Sequence, residues 1–305
     1  MTDELLPSWR EGATRTAIVD VLGQVDEIPP AERVAVFDND GTMWCEKPNY
    51  PQLEFMLGEM REAIAADAAL ADQAEFRALL SGDRDALSEM GLERVAMALV
   101  DLHRGLTPEA FNERVAAFFA EARHPERGVP YRQQRYQPML ELTNELRARG
   151  FDVYIVTGGG AEFVRVIGEE FYGVKPEGVV GSQIAYDIDR DPDGALRLVR
   201  TGNIVASGVN EGVDKPSNIQ RILGRRPVVA GGNSAGDAEM LEFAQSYDGP
   251  SLALLVDHDD AEREYAYESK AGSFDTEESV LAMADRLGWL VASIKNDWAT
   301  VFADA

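Results

Sequence analysis

Apolar positions along the chain follow two spacings. Val34-Ala35-Val36-Phe37 and Val153-Tyr154-Ile155-Val156 are short unbroken apolar runs rich in β-formers, the pattern of strands covered on both faces. Segments 227–230 and 251–256 read the same way. Helical spacing occupies most of the rest. Met139, Leu142 and Leu146 share one face of a helix that ends at Gly150, and further helices are predicted over about 11–24, 161–171 and 215–223. Segments 183–189 and 195–200 flank Asp191-Pro192-Asp193-Gly194 and predict a β-hairpin. Asp275 and Glu278 predict a capping box for a helix ending near Gly288.

From about Tyr50 to Glu121 the pattern is helical throughout. Leu53, Leu57, Met60 and Ile64 form one stripe, and Thr107-Pro108 reads as an N-cap followed by proline at the first helical position. This stretch is therefore expected to be a helical insertion. Strand–helix alternation on either side of it predicts an α/β fold: a doubly wound, mostly parallel sheet with helices on both faces. The expected division is a core of residues 1–48 and 125–305 carrying a helical cap of residues 49–124. In such sheets the ligand sits beyond the carboxyl ends of the strands. Three strands here end in polar or glycine-rich turns, at 38–42, 157–160 and 231–237, so these are expected to converge on one pocket.

Composition narrows the function. The chain has 305 residues, 45% of them hydrophobic, which is ample for a buried core. Its 54 Asp and Glu against 29 Lys and Arg give a net charge of −25. Such a field repels polyanions, so neither nucleic acid nor an acidic membrane surface is an expected partner. It does not exclude a small phosphorylated substrate, because a bound divalent cation and one lysine reverse the field locally. Cys45 is the sole cysteine and there are three histidines, so neither an internal disulfide nor a structural zinc site is expected. Residues 1–9 lack the basic and apolar regions of a secretory leader, and a cytoplasmic location is expected.

Asp38-Asn39-Asp40-Gly41-Thr42 sets two carboxylates two residues apart on a turn at a strand end. Two such anions suit a hard divalent cation with oxygen ligands, Mg2+ in particular. Alone, the same turn also suits a solvated loop or a calcium-loop fragment. The rest of the chain adds to it. Thr157-Gly158-Gly159 follows the second strand, Lys215 opens a helix, and Gly232-Asn233-Ser234-Ala235-Gly236-Asp237 follows a later strand. In type and order these segments resemble the four motifs of the haloacid dehalogenase-like superfamily of phosphatases, over about residues 33 to 260. The hairpin ahead of Lys215, the glycine-rich second segment and Glu46 resemble its phosphoserine phosphatase-like branch.

That resemblance implies a phosphomonoester hydrolase acting on a small-molecule substrate with Mg2+ as cofactor. Asp38 is then the nucleophile that forms an aspartyl-phosphate. Asp40 is the acid and base, and its main-chain carbonyl is a metal ligand. Thr157, Gly158 and Gly159 hold phosphate oxygens beside the charge of Lys215. The metal falls to Asp38, Asp40, Asn233 and Asp237. Asn233 departs from the family pattern, which has aspartate there; its amide oxygen still ligates magnesium but brings no formal charge. For Asp237 three roles stay open: direct ligand, ligand through water, or partner of Lys215. Glu46 matches the glutamate that in the phosphoserine enzymes helps recognise the substrate's amino group, and a solvated glutamate at a hinge is the equal alternative. The presence of Asp40 argues against dehalogenation. A phosphotransferase or mutase of the same fold, or a phospholigand-binding protein without catalysis, are the competing readings. Trp44 and Tyr50 are candidates to line the cap entrance. His258-Asp259-Asp260 is a candidate approach from a neighbouring strand, and His103 and His124 are expected to be structural.

Overall fold

The computed structural model describes residues 5–205, 208–269 and 278–304. Helix α1 (Ala13–Gly23) precedes strand β1 (Val34–Phe37). Five helices then follow: α2 (Pro51–Ala66), α3 (Ala74–Ser81), α4 (Arg84–Met90), α5 (Leu92–Asp101) and α6 (Pro108–Glu121). Helix α7 (Gln137–Ala148) leads into β2 (Asp152–Gly160), α8 (Ala161–Tyr172) and β3 (Val179–Ser182). The hairpin of β4 (Ile184–Arg190) and β5 (Leu196–Ile204) comes next, then α9 (Asp214–Leu223), β6 (Val229–Gly232), α10 (Ala238–Gln245) and β7 (Leu252–Asp257). Helix α11 (Val280–Leu287), strand β8 (Leu290–Ser293) and α12 (Ile294–Asp297) complete the order.

Six strands form one parallel sheet in the order β3-β2-β1-β6-β7-β8, and β4 and β5 pair separately and antiparallel. All four residues of β1 are buried because each face of the sheet has its own core. Ala35 and Phe37 join one apolar cluster with Ile155, Val229 and Leu254 under α1, α7 and α8, and Val34 and Val36 join another with Val156, Val180 and Ile219 under α9 and α10. That two-sided burial is why the strands read as continuous apolar runs rather than alternating ones.

The doubly wound parallel sheet matches the expected class, but several elements differ from the sequence pattern. Strands β3 and β8 were not predicted: each has four residues, and Val179-Val180-Gly181-Ser182 and Leu290-Val291-Ala292-Ser293 follow helices too closely to stand out. Strand β2 does not stop at Val156. It continues through Thr157 and the glycines to Gly160, with a register shift against β3 between Val156 and Gly160. The glycine run is thus extended backbone, not a turn. Thr107 does cap α6, its Oγ1 accepting from the Ala110 amide at 3.2 Å. Ser279 caps α11 by accepting from Ala282, and Glu278 pairs with Arg286; Asp275, the other half of the expected capping box, lies outside the described residues. Among the described residues no helix is long and apolar enough to cross a membrane.

Candidate active site

The carboxyl ends of β1, β2 and β6 lie side by side at the centre of the sheet, so the polar residues that follow them meet. Lys215, in the first turn of α9, bonds with one buried ammonium to the turns after β1 and β6 and to the body of β2. Its Nζ donates to Asp38 Oδ1 at 2.7 Å, to Asp237 Oδ1 at 2.6 Å and to the Val156 carbonyl at 2.9 Å. All three donors are used. Burial pulls the Lys215 ammonium pKa down, but the carboxylates of Asp237 and Asp38 more than offset this and raise it above the ordinary lysine value. Burial pushes the Asp38 carboxyl well up, and Lys215 counters that only in part.

Asp237 is held from its other side. Its Oδ2 accepts from the amides of Asn233 and Ser234, each at 3.0 Å, and from Ser234 Oγ at 3.2 Å, closing a capping box at the end of β6. A carboxylate fixed by three donors on one oxygen and the ammonium on the other fits the role of orienting Lys215. Asn233 Oδ1 accepts from Thr42 Oγ1 at 3.4 Å, which ties the β1 turn to the β6 turn. Gly41 permits that approach. Its φ is +77°, and a Cβ there would lie 2.0 Å from Asn233 Nδ2, so any side chain would force the two turns apart.

Asp40 turns away from Lys215 and takes hydrogen bonds on both oxygens, from Trp44 Nε1 at 2.9 Å and Asn39 Nδ2 at 3.3 Å. Burial raises its pKa, and these two donors return only part of the shift. Trp44 therefore does not line an entrance. It is fully buried among Phe119, Tyr131, Phe171 and Tyr172 and serves as the anchor of Asp40. Thr157 is buried beside Asp38's strand end, with Oγ1 accepting from the Gly159 amide at 2.9 Å. Asp38, Asp40, Glu46, Gly158, Gly159, Lys215 and Asn233 all border one cavity of about 400 Å3, with Tyr50 on its wall. Thr157 and Asp237 sit just behind that wall, each 1% exposed.

Of three further contributors, two carried no clear sequence signal. Gln52 of α2 accepts from the Gly160 amide through Oε1 at 2.9 Å, fastening the inserted helices to the end of β2. Glu211, four residues before Lys215, lies over Gly158: a Cβ on that glycine would be 2.6 Å from Glu211 Oε1. Burial raises the Glu211 carboxyl pKa. The third contributor stands behind the β1 turn. His258, just after β7, donates from Nε2 to the Gly41 carbonyl at 2.9 Å, and its Nδ1 faces Glu264 Oε2 at 3.2 Å. Asp259 instead accepts from Ser293 Oγ and the Lys295 amide, and Asp260 pairs with Arg263. Of that segment only His258 reaches the β1 turn, and it does so from the rear. His103 and His124 are structural, held by Glu59 and by the Lys47 carbonyl.

Glu264 is the hub of this rear support. Its Oε1 accepts from Tyr136 Oη at 2.9 Å and Cys45 Sγ at 3.0 Å, and Oε2 from the Tyr265 amide at 2.6 Å. Burial alone would raise its carboxyl, yet His258, Cys45 and the Tyr265 amide bring it below the ordinary glutamate range. A lowered folded-state pKa means stability that is complete above the unfolded value, near 4.3, and is lost as pH falls through the folded one. Glu264→Gln leaves one acceptor among four donors and is expected to cost about 3–5 kcal/mol, the scale of a broken buried pair. Urea melts at pH 7 and pH 4 check this: the deficit should shrink at pH 4.

The description haloacid dehalogenase-like hydrolase matches residues 35–242. Among solved structures, a conserved protein of unknown function from Anaerococcus prevotii DSM 20548 is similar at 15% identity and a TM-score of 0.52, covering 80% of this chain and 85% of that one. A protein of unknown function from Bordetella pertussis Tohama I is similar at 17% identity and a TM-score of 0.54, covering 85% and 97%. A phosphoserine phosphohydrolase-like protein from Francisella tularensis subsp. tularensis SCHU S4 is similar at 14% identity and a TM-score of 0.38, covering 84% and 99%. No curated protein matches the chain in sequence.

Proposed function

Because the chain belongs to the haloacid dehalogenase-like hydrolase family, we propose that it is a magnesium-dependent phosphomonoester hydrolase working through an aspartyl-phosphate on Asp38. The observation that carries this reading is the placement of Asp38: Lys215 fixes one carboxylate oxygen at 2.7 Å while the residue borders the cavity. A carboxylate so held has its remaining oxygen available as a nucleophile. Residues 49–124 act in this reading as a cap over a core of residues 1–48 and 125–305.

The chemistry follows from the groups present. The free oxygen of Asp38 attacks phosphorus, the bond from phosphorus to the leaving oxygen breaks, and Asp40 gives that oxygen its proton. Burial raises the Asp40 pKa, the direction that a proton donor needs. Asp40 then takes a proton from water, whose oxygen displaces Asp38 from phosphorus and frees inorganic phosphate. Thr157 and the amides of Gly158 and Gly159 hold phosphate oxygens, and Lys215 offsets their charge.

A divalent cation fits this donor set. Asp38 and Asp237 share a single ammonium, and Asp40, Glu46 and Glu211 add further carboxylates around the same cavity. Among the described residues no three His, Cys, Asp or Glu side chains are grouped to hold a metal. The ligand set therefore draws on other oxygens: Asp38, the main-chain carbonyl of Asp40 and the amide oxygen of Asn233, with Asp237 behind them. Hard oxygen donors of this kind suit Mg2+. When bound it neutralises charge on the phosphoryl oxygens.

The test is phosphate release from an aryl phosphate. Turnover with Mg2+ that falls to background in excess EDTA and returns on adding Mg2+ supports the reading. Absence of turnover with every divalent ion tried, with phosphate still binding, would favour a phospholigand-binding protein.

A further inference from the structure

The floor of the cavity is polar, but its upper walls are not. Leu53 and Met56 of α2, Leu99 of α5, Phe111 of α6, Phe163 of α8 and Ile204 of β5 all face the same space as Asp38 and Lys215. The charges on these walls are either neutralised or negative. Arg200 is 2% exposed, ion-paired with Glu162, and its guanidinium stacks 3.9 Å over the Phe111 ring. Lys215 has its three acceptors already. What is left facing the cavity is acidic: Glu93 and Glu211, together with Glu46, whose carboxylate has Lys47 Nζ beside it at 3.5 Å. Glu211 Oε2 is buried and has no hydrogen-bond partner.

Attack by Asp38 is in line, so the leaving oxygen departs on the side of phosphorus away from that carboxylate. With Asp38 at the floor, the remaining room for a leaving group is the apolar chamber. A sugar filling that chamber would set hydroxyls against Leu53, Met56, Leu99, Phe111 and Phe163, which offer no hydrogen-bond partner, and this is costly. A second phosphate or carboxylate would meet the carboxylates of Glu46 and Glu211. We propose that the substrate of this site is the phosphate monoester of an extended apolar alcohol or phenol that carries no second anionic group. The proposal rests on the hydrolase reading above and names its substrate class.

A series of n-alkyl phosphates from ethyl to octyl tests it, because the leaving oxygen keeps nearly the same basicity while apolar area grows. The expected result is a rise in kcat/KM of up to about fourfold per methylene, the transfer of one CH2 out of water, levelling off when the chamber is full. Hexyl phosphate should exceed phosphoserine by roughly a hundredfold or more on the same scale. Ala96→Trp places a large ring on the chamber wall from an exposed position and should shorten the chain length at which the series levels off, with melting unchanged. Binding of n-alkyl phosphonates, read by calorimetry, separates the two claims. Affinity that grows with chain length without any ester hydrolysed would keep the chamber and defeat the hydrolase reading. Phosphate release that is flat across the series, or faster with phosphoserine, would overturn the substrate class and leave that reading standing.

Discussion

Asp38→Asn is expected to lower kcat by roughly 10⁴- to 10⁶-fold, the range seen when a covalent nucleophile is removed from a site whose parts act as a unit. The fold should survive. The asparagine oxygen can still accept from Lys215 Nζ, now 2.7 Å from the carboxylate, and the change removes a buried charge. Two measurements check this: phosphate release under saturating Mg2+, and the mass increment of one phosphoryl group on wild-type protein quenched in acid, which should be missing from the variant. Activity within tenfold of wild type would exclude Asp38 as nucleophile.

Lys215→Met should act on stability as well as rate. It strips the shared ammonium from Asp38 and Asp237, both almost wholly buried. A buried charge left without its partner costs about 3–5 kcal/mol, and the loss here touches two. As with Glu264→Gln the deficit shrinks as pH falls, but here because the variant itself gains stability. Without the lysine, nothing counters the burial that already holds the Asp38 carboxyl well above its unfolded value, so the folded state binds more protons than the unfolded one and stability climbs as pH falls. Denaturant melts from pH 8 to pH 5 read the slope. Adding Asp237→Asn to Lys215→Met should recover much of the stability and none of the turnover. If the single variant melts like wild type, the ammonium is not the keystone that its three hydrogen bonds indicate.

Much of the site was legible because its residues announce themselves through backbone position. Asp38 and Asp40 follow an apolar run that ends abruptly, and Asn233 and Asp237 follow another. Strands that are buried on both faces must be apolar, so their ends are marked by the first polar residues, and in a parallel sheet those ends share one edge. Lys215 was placed by its order in the chain alone; that it binds the Val156 carbonyl as well as two carboxylates is a fact of packing. The contacts of Gln52, of Glu211 and of His258 with Gly41 escaped for one common reason. Each acts through a partner distant in sequence: His258 reaches Gly41 across 217 positions and Gln52 reaches Gly160 across 108. No local spacing encodes such a meeting. Short strands such as β3 and β8 escaped because four residues are too few to establish a period.

The two halves of the cavity come from different parts of the polypeptide. Groups that would handle phosphorus sit on the central strands β1, β2 and β6 and on the helix α9 behind them, where both faces of the sheet are covered and little can shift. Leu53, Met56, Leu99 and Phe111, which would touch the rest of a ligand, belong to α2, α5 and α6, helices spliced into one connection between β1 and β2. Selectivity and reactivity are thereby uncoupled in this architecture: one connection can be rewritten, residue by residue, to accept a new guest while the apparatus beneath it keeps its alignment.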